Sequence, residues 1–184
     1  HNDAPSDVAL RLYGINKWAN EHNVDIVIHI HFNDSAPRKA NSPGEYSGFT
    51  IYTPERQYSN SQVSAEIAKS VMKRLSKMFP VSNLEGEDAG IVEDQELIAI
   101  GSSNTVDAAS LLIEYGYIYE PQFKVPLVRD SILKELAFQT YLGVADFFGE
   151  ACIVVGPYEI KLLPYTGKTA INKTSTARHT QPPF

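Results

Sequence analysis

The run Asp25-Ile-Val-Ile-His-Ile-His31 constrains this chain more than any other feature. It is too short for a helix and rich in β-branched residues, and so reads as a strand buried on both faces, as parallel strands in α/β sheets are. Period-2 geometry puts Ile26, Ile28 and Ile30 on one face, with Val27, His29 and His31 on the other. Helical patterns lie on both sides. Residues 6–20 place Val8, Leu12, Ile15 and Ala19 on one stripe behind Ser6 as N-cap. Residues 61–79 do the same with Val63, Ile67, Val71, Leu75 and Met78, and Pro80 ends that helix.

Further strands are expected at residues 48–53, at 97–100, and at 109–115, the last carrying Glu114 near its end. Residues 33–47 and 83–94 read as loops. A long helix is expected from about Pro126 to Phe148, with Ile132, Leu136, Tyr141, Val144 and Phe148 roughly inward. This alternation argues for an α/β fold with a mostly parallel sheet flanked by helices. Residues 1–150 form the expected main domain. Residues 151–184 read as a C-terminal extension: a short β segment over 151–165, then a Thr-, Lys- and Pro-rich linker or disordered terminus.

Composition removes several function classes. Sixteen basic against twenty-two acidic side chains leave a net charge of -6, which disfavours nucleic acid as a partner. The single Cys152 allows neither an internal disulfide framework nor a Cys-rich zinc module. No apolar stretch approaches the roughly twenty residues of a membrane helix. The polar start His1-Asn2-Asp3 does not read as a secretory leader. Lys69, Lys73, Arg74 and Lys77 share one side of the second helix. They could attract an anionic polymer, but a solvated face is the expectation. Tyr115, Tyr117 and Tyr119 read as ordinary strand packing rather than a sugar platform.

Two features carry chemistry. His29 and His31 lie about 7 Å apart on one strand face, aimed at the carboxyl edge where α/β sheets bind ligands. They are either metal ligands, imidazole being the commonest zinc donor, or members of a hydrogen-bonded polar patch. Glu114 sits in Leu111-Leu112-Ile113-Glu114-Tyr115, where an ionised carboxylate is costly unless paired or placed by a metal. Apolar flanks would raise its pKa toward the range useful for a general base, unless a nearby cation pulls it back. The alternative is a strand-end glutamate that reaches solvent or pairs with a lysine.

In order and spacing these motifs resemble the zinc-dependent N-acetylmuramoyl-L-alanine amidases of bacterial autolysins and phage lysins. Asp3 and Arg11 match the family's opening turn and helix, followed by Ala19-Asn20 and Asp25. His29-Ile30-His31-Phe32-Asn33 matches its SIHxN strand end, and Gly48-Phe49-Thr50-Ile51-Tyr52 its GFEVYY-like strand. Ile113-Glu114-Tyr115-Gly116-Tyr117-Ile118 matches its VEIGF-like strand. The resemblance covers residues 3–149 and implies a phosphorylase/hydrolase-like amidase fold without the N-terminal strands and first helix. The helix between Arg11 and Ala19 is about one turn longer than usual.

The implied roles are His31 as a Zn2+ ligand and Glu114 as the catalytic carboxylate. His29, where the family often has serine or a carboxylate, and Asn33 would line the substrate cleft, or His29 would substitute as a ligand. The family's other two ligands, a GHGG-like histidine and a helix glutamate, would lie upstream of His1, and the sheet would keep an exposed edge. The implied reaction is hydrolysis of the amide between N-acetylmuramic acid and L-alanine of the stem peptide. Its partner is peptidoglycan and its place extracellular, in the cell wall or periplasm. The rivals are a non-catalytic peptidoglycan-binding relative and another zinc hydrolase acting on the stem peptide.

Overall fold

The computed structural model describes residues 6–35, 39, 42–97, 99–100, 106–149, 152–156 and 159–162. Helix α1 (Ser6–Glu21) leads into β1 (Ile26–Asn33), followed by β2 (Thr50–Thr53) and α2 (Ser61–Leu75). Then come β3 (Ile91–Glu93), β4 (Ala109–Tyr117), the short α3 (Pro121–Lys124) and α4 (Pro126–Phe147). Strands β1 to β4 form one sheet in the order β1-β4-β2-β3. Two of its three pairings are parallel, β1 with β4 and β2 with β3, whereas β2 runs antiparallel to β4. The sheet is therefore mixed. A separate hairpin, β5 (Cys152–Gly156) with β6 (Glu159–Leu162), realises the β segment expected after residue 150. Residues 166–184, read as linker, lie outside the described residues.

The core sits on one face of the sheet. Leu111, Ile113 and Tyr115 of β4 and Ile51 of β2 meet Ile67, Val71 and Leu75 of α2 and Leu136 of α4. The two helices close directly on each other at Gly143, where an added Cβ would stand 2.4 Å from the Cα of Val71. A bidentate ion pair, Arg74 Nε and Nη2 to the Asp146 carboxylate at 2.5 and 2.6 Å, ties the same helices at the surface. Among the described residues Lys69 pairs with its helix neighbour Glu66, at 2.8 Å. The basic side of α2 is thus a helix surface, not a prepared anion site.

Several expectations need correction. β1 is not buried on both faces: it is the edge strand, with β4 its sole neighbour among the described residues, and Ile30 is 66% exposed. α1 is rolled by one position from its hydrophobic stripe. Asn16 (1% exposed) and Ala19 turn inward while Ile15 is half exposed, and the side chains of Val8 and Leu12 lie outside the described residues. α2 stops at Leu75, so Met78 lies beyond it and is exposed. Residues 83–94, read as loop, contain β3, while in the expected strand at 97–100 Ala99 and Ile100 lie in a turn, with the Ile100 amide bonded to the Leu97 carbonyl at 3.2 Å. In α4 the inward positions include Leu136, Thr140 and Gly143, and Tyr141 faces out.

Gly143→Ala tests the helix contact. The methyl meets backbone, which cannot swing aside, so overpacking of about 1–3 kcal/mol is expected. Thermal unfolding should drop by several degrees; an unchanged midpoint would contradict the close approach.

Candidate active site

Backbone register brings the site together. Parallel pairing sets His29 opposite Leu112 and His31 opposite Glu114. The antiparallel pairing of β2 sets Thr50 opposite Glu114 and Tyr52 opposite Leu112. Directly paired residues share a sheet face. His29, His31, Leu112, Glu114, Thr50 and Tyr52 therefore line one surface, opposite the α2–α4 layer. His31 Nδ1 lies 3.6 Å from Glu114 Oε1, with the histidine side chain 44% exposed and the glutamate 14%.

This face is polar and incompletely satisfied. Among the described residues, the buried side-chain atoms without a hydrogen-bond partner are His29 Nε2, Thr50 Oγ1, Ser110 Oγ and Glu114 Oε2. All four belong to residues on this one face. Buried polar atoms cost free energy unless paired, so such a cluster suits a surface that pairs with water, ion or substrate. The ring of His29 hydrogen-bonds the backbone of Ala99, in the sense that favours its proton. Beside it Ala99, Ile100, Leu112, Leu97 and Tyr52 make an apolar wall. Leu97, Ala99 and Ile100, expected in a strand, thus fold onto this face from a turn.

One residue enters by a device that alternation hides. Between His31 and Asn33 the register slips, so that Asn33 pairs with Tyr117 and β4 carries one extra residue. Gly116 supplies the required backbone, at φ +146. The bulge re-aims Tyr117 onto the Glu114 face. Tyr115 consequently points the other way, to Thr140 of α4 at 2.7 Å, although it is only two residues from Tyr117. Tyr115, Tyr117 and Tyr119 are all buried, the first two in β4 and Tyr119 in the turn beyond it, where its hydroxyl accepts the Tyr46 amide at 3.1 Å. Asn33 turns its Oδ1 to the amide of Asp34 at 2.9 Å, a local turn rather than a reach toward His31.

Sequence reasoning missed Glu87. It is 4% exposed and accepts hydrogen bonds from three hydroxyls: Tyr52, Ser82 at 2.5 Å and Tyr117 at 3.4 Å. It lies in the stretch read as acidic loop, and nothing in its local pattern sets it apart from Glu85 or Asp88.

Electrostatics sorts the site groups by role. Burial, with a smaller contribution from the Glu87 carboxylate, pushes the Glu114 carboxyl up to about 7. Burial lowers both imidazoles, and the neighbouring His31 lowers His29 further. Neutral imidazole is the form that binds metal. The ring centroids of His29 and His31 stand 6.5 Å apart. Two imidazoles on one tetrahedral zinc would stand about 5 Å apart, given Zn–N of about 2 Å. The observed separation is wider than that spacing. Among the described residues no three His, Cys, Asp or Glu side chains form a ready metal cluster. His31 and Glu114 therefore fit one side of a metal site without completing it.

The raised Glu114 pKa has a consequence for the metal-free protein. Folding binds the Glu114 proton more tightly, so this stability is full below the ordinary value of 4.5 and is lost as pH climbs through about 7. Glu114→Gln, uncharged throughout, should unfold at a higher temperature than wild type at pH 8 in chelator, and at nearly the same temperature at pH 4. A gap of equal size at both pH values would refute the buried, unpaired carboxylate.

Comparison with known proteins bears on the fold and the family. The structure is similar to the N-acetylmuramyl-L-alanine amidase Ami1 of Mycobacterium smegmatis, with TM-score 0.57 and 19% identity, over 75% of this chain and 60% of that one. The apo form of Ami1 from Mycobacterium abscessus gives TM-score 0.58 and 17% identity, over 74% of this chain and 60% of that one. The CwlD amidase of Clostridioides difficile, solved in complex with the GerS lipoprotein, gives TM-score 0.56 and 15% identity, over 81% and 68%. At these identities the likeness establishes the fold. The chain spans about 60% of the length of the Ami1 structures. No curated protein matches it. The sequence model for N-acetylmuramoyl-L-alanine amidases, however, matches residues 2–146. By that match, over most of its 184 residues, the chain belongs to the N-acetylmuramoyl-L-alanine amidase family.

Proposed function

We propose that the protein is a peptidoglycan hydrolase that cleaves the amide joining N-acetylmuramic acid to L-alanine of the stem peptide. The observation that carries this reading is the pairing of His31 with Glu114 at neighbouring strand ends, 3.6 Å apart on an unsatisfied polar face. His31 serves as a zinc ligand, and burial favours the neutral form of its imidazole. Zinc, when bound, polarises the scissile carbonyl and acidifies a water at neutral pH. Glu114, with a pKa of about 7, accepts a proton from the attacking water and passes it to the departing amine. His29 borders the substrate cleft rather than the metal. Its ring is held by Ala99, and its spacing from His31 exceeds that of co-ligands. The reaction takes place outside the cytoplasmic membrane, where peptidoglycan lies. Among the described residues no helix is long and apolar enough to cross a membrane.

A second reading, a peptidoglycan-binding relative without catalysis, draws on the absence of a ready three-donor cluster among the described residues. Mass analysis of digested muropeptides separates the two. Release of intact stem peptide supports the hydrolase, whereas binding without release supports the relative, and cuts within the peptide indicate a peptidase. Glu114→Gln should keep its zinc while turnover falls about a hundredfold or more, the scale of losing a general base. His31→Ala should lose both zinc and activity. Near-normal turnover in the first variant, or stoichiometric zinc in the second, would overturn the assigned roles.

A further inference from the structure

Among the described residues, no hydrogen bond holds the Glu114 carboxylate. Oε2 has no hydrogen-bond partner, and His31 Nδ1 lies beyond hydrogen-bond distance of Oε1. Its placement must come from the strand that carries it. That strand segment is bracketed by two tyrosines. Tyr52 of β2 pairs with Leu112, two residues before Glu114, and Tyr117 ends β4 three residues after it. Both phenols donate to one carboxylate, Glu87, on Oε1 and Oε2 respectively. Ser82 fixes that carboxylate from the loop side and receives the Leu84 amide at 3.2 Å. Among the described residues no ion pair involves Glu87, so its acceptor capacity is taken up by hydroxyls alone. The bulge that turns Tyr117 to this face breaks the regular register between Glu114 and Tyr117, just before the residue where the clamp attaches.

We propose that Glu87 is a positioning residue for the amidase reaction: through Tyr52 and Tyr117 it clamps the β4 segment that presents Glu114. It does not touch substrate. A charge-assisted acceptor with several donors is a stiff joint, and the anchor is buried, so the clamp resists slippage of β4 against β2. Misplacing a catalytic group by about 1 Å can cost up to a hundredfold in rate, which is why such a joint matters. This role rests on the reading of the protein as an amidase.

The test is steady-state muropeptide hydrolysis by the native full-length protein and by Glu87→Gln, Tyr52→Phe and the double variant, at a temperature well below each unfolding midpoint. Glu87→Gln should lower kcat about tenfold or more with KM within about twofold, because ground-state binding does not need Glu114 in place. Tyr52→Phe should lower kcat in the same direction, and the double variant should be no slower than Glu87→Gln, since both cut one clamp. Should Glu87→Gln fail to fold, Tyr52→Phe, whose ring is only half buried, decides alone. Variants with wild-type kcat, or a rise in KM alone, would overturn the positioning role while leaving the amidase reading intact. A wild-type protein that releases no stem peptide would overturn the amidase reading and this role together.

Discussion

The parallel pairing of β1 with β4 is the constraint on which the site depends. It puts His31 beside Glu114 through backbone hydrogen bonds, with no direct bond between the two side chains. A slip of one residue would send one of them to the opposite face, into the layer of α2 and α4. Register is held from both sides. Ile28 and Leu111 pair toward the apolar layer, and the antiparallel β2 locks β4 from its other edge. The arrangement concentrates apolar burial on one face and leaves the other polar, where the unpartnered atoms of His29, Thr50, Ser110 and Glu114 lie.

Buried carboxylates organise the region beyond the strand ends. Glu87 takes hydroxyl donors, whereas Glu120 takes backbone amides, from Gly48 at 3.1 Å and Tyr117 at 2.7 Å. Tyr117 thus belongs to both networks, through its phenol and its amide. The loop before β2, the loop carrying Glu87 and the end of β4 are joined by acceptors that need no cation. Glu114 differs from both. It is largely buried and, among the described residues, takes no hydrogen-bond donor, and burial favours its protonated form.

The elements with strong periodicity were legible in the sequence. Helices α2 and α4 and strands β1 and β4 fall where hydrophobic spacing puts them, and the family resemblance rested on β1, on β4, on residues 48–52 and on the stretch from Asp3 to Asp25. Three-residue β3 was not legible, because pairing with β2 rather than any pattern of its own makes it a strand. The burial of β1 was overestimated because an Ile-rich run does not reveal whether a neighbour covers its outer edge. The inward roll of Asn16 in α1 runs against hydrophobicity altogether. In the site, His31 and Glu114 stood out as polar residues in apolar strands, but Glu87 did not. Its meaning comes from Tyr52, Ser82 and Tyr117, which are distant in sequence, and Tyr117 reaches it only because of a bulge that period-2 counting cannot see.

The central claim is that His31 and Glu114 serve a single catalytic event. A double-mutant cycle on kcat/KM for stem-peptide release, using His31→Ala, Glu114→Gln and the pair together, tests it most directly. Groups that act as a unit are strongly non-additive. The doubly substituted protein should be no slower than the slower single variant. Losses that multiply, each substitution costing its full factor in the presence of the other, would contradict the account.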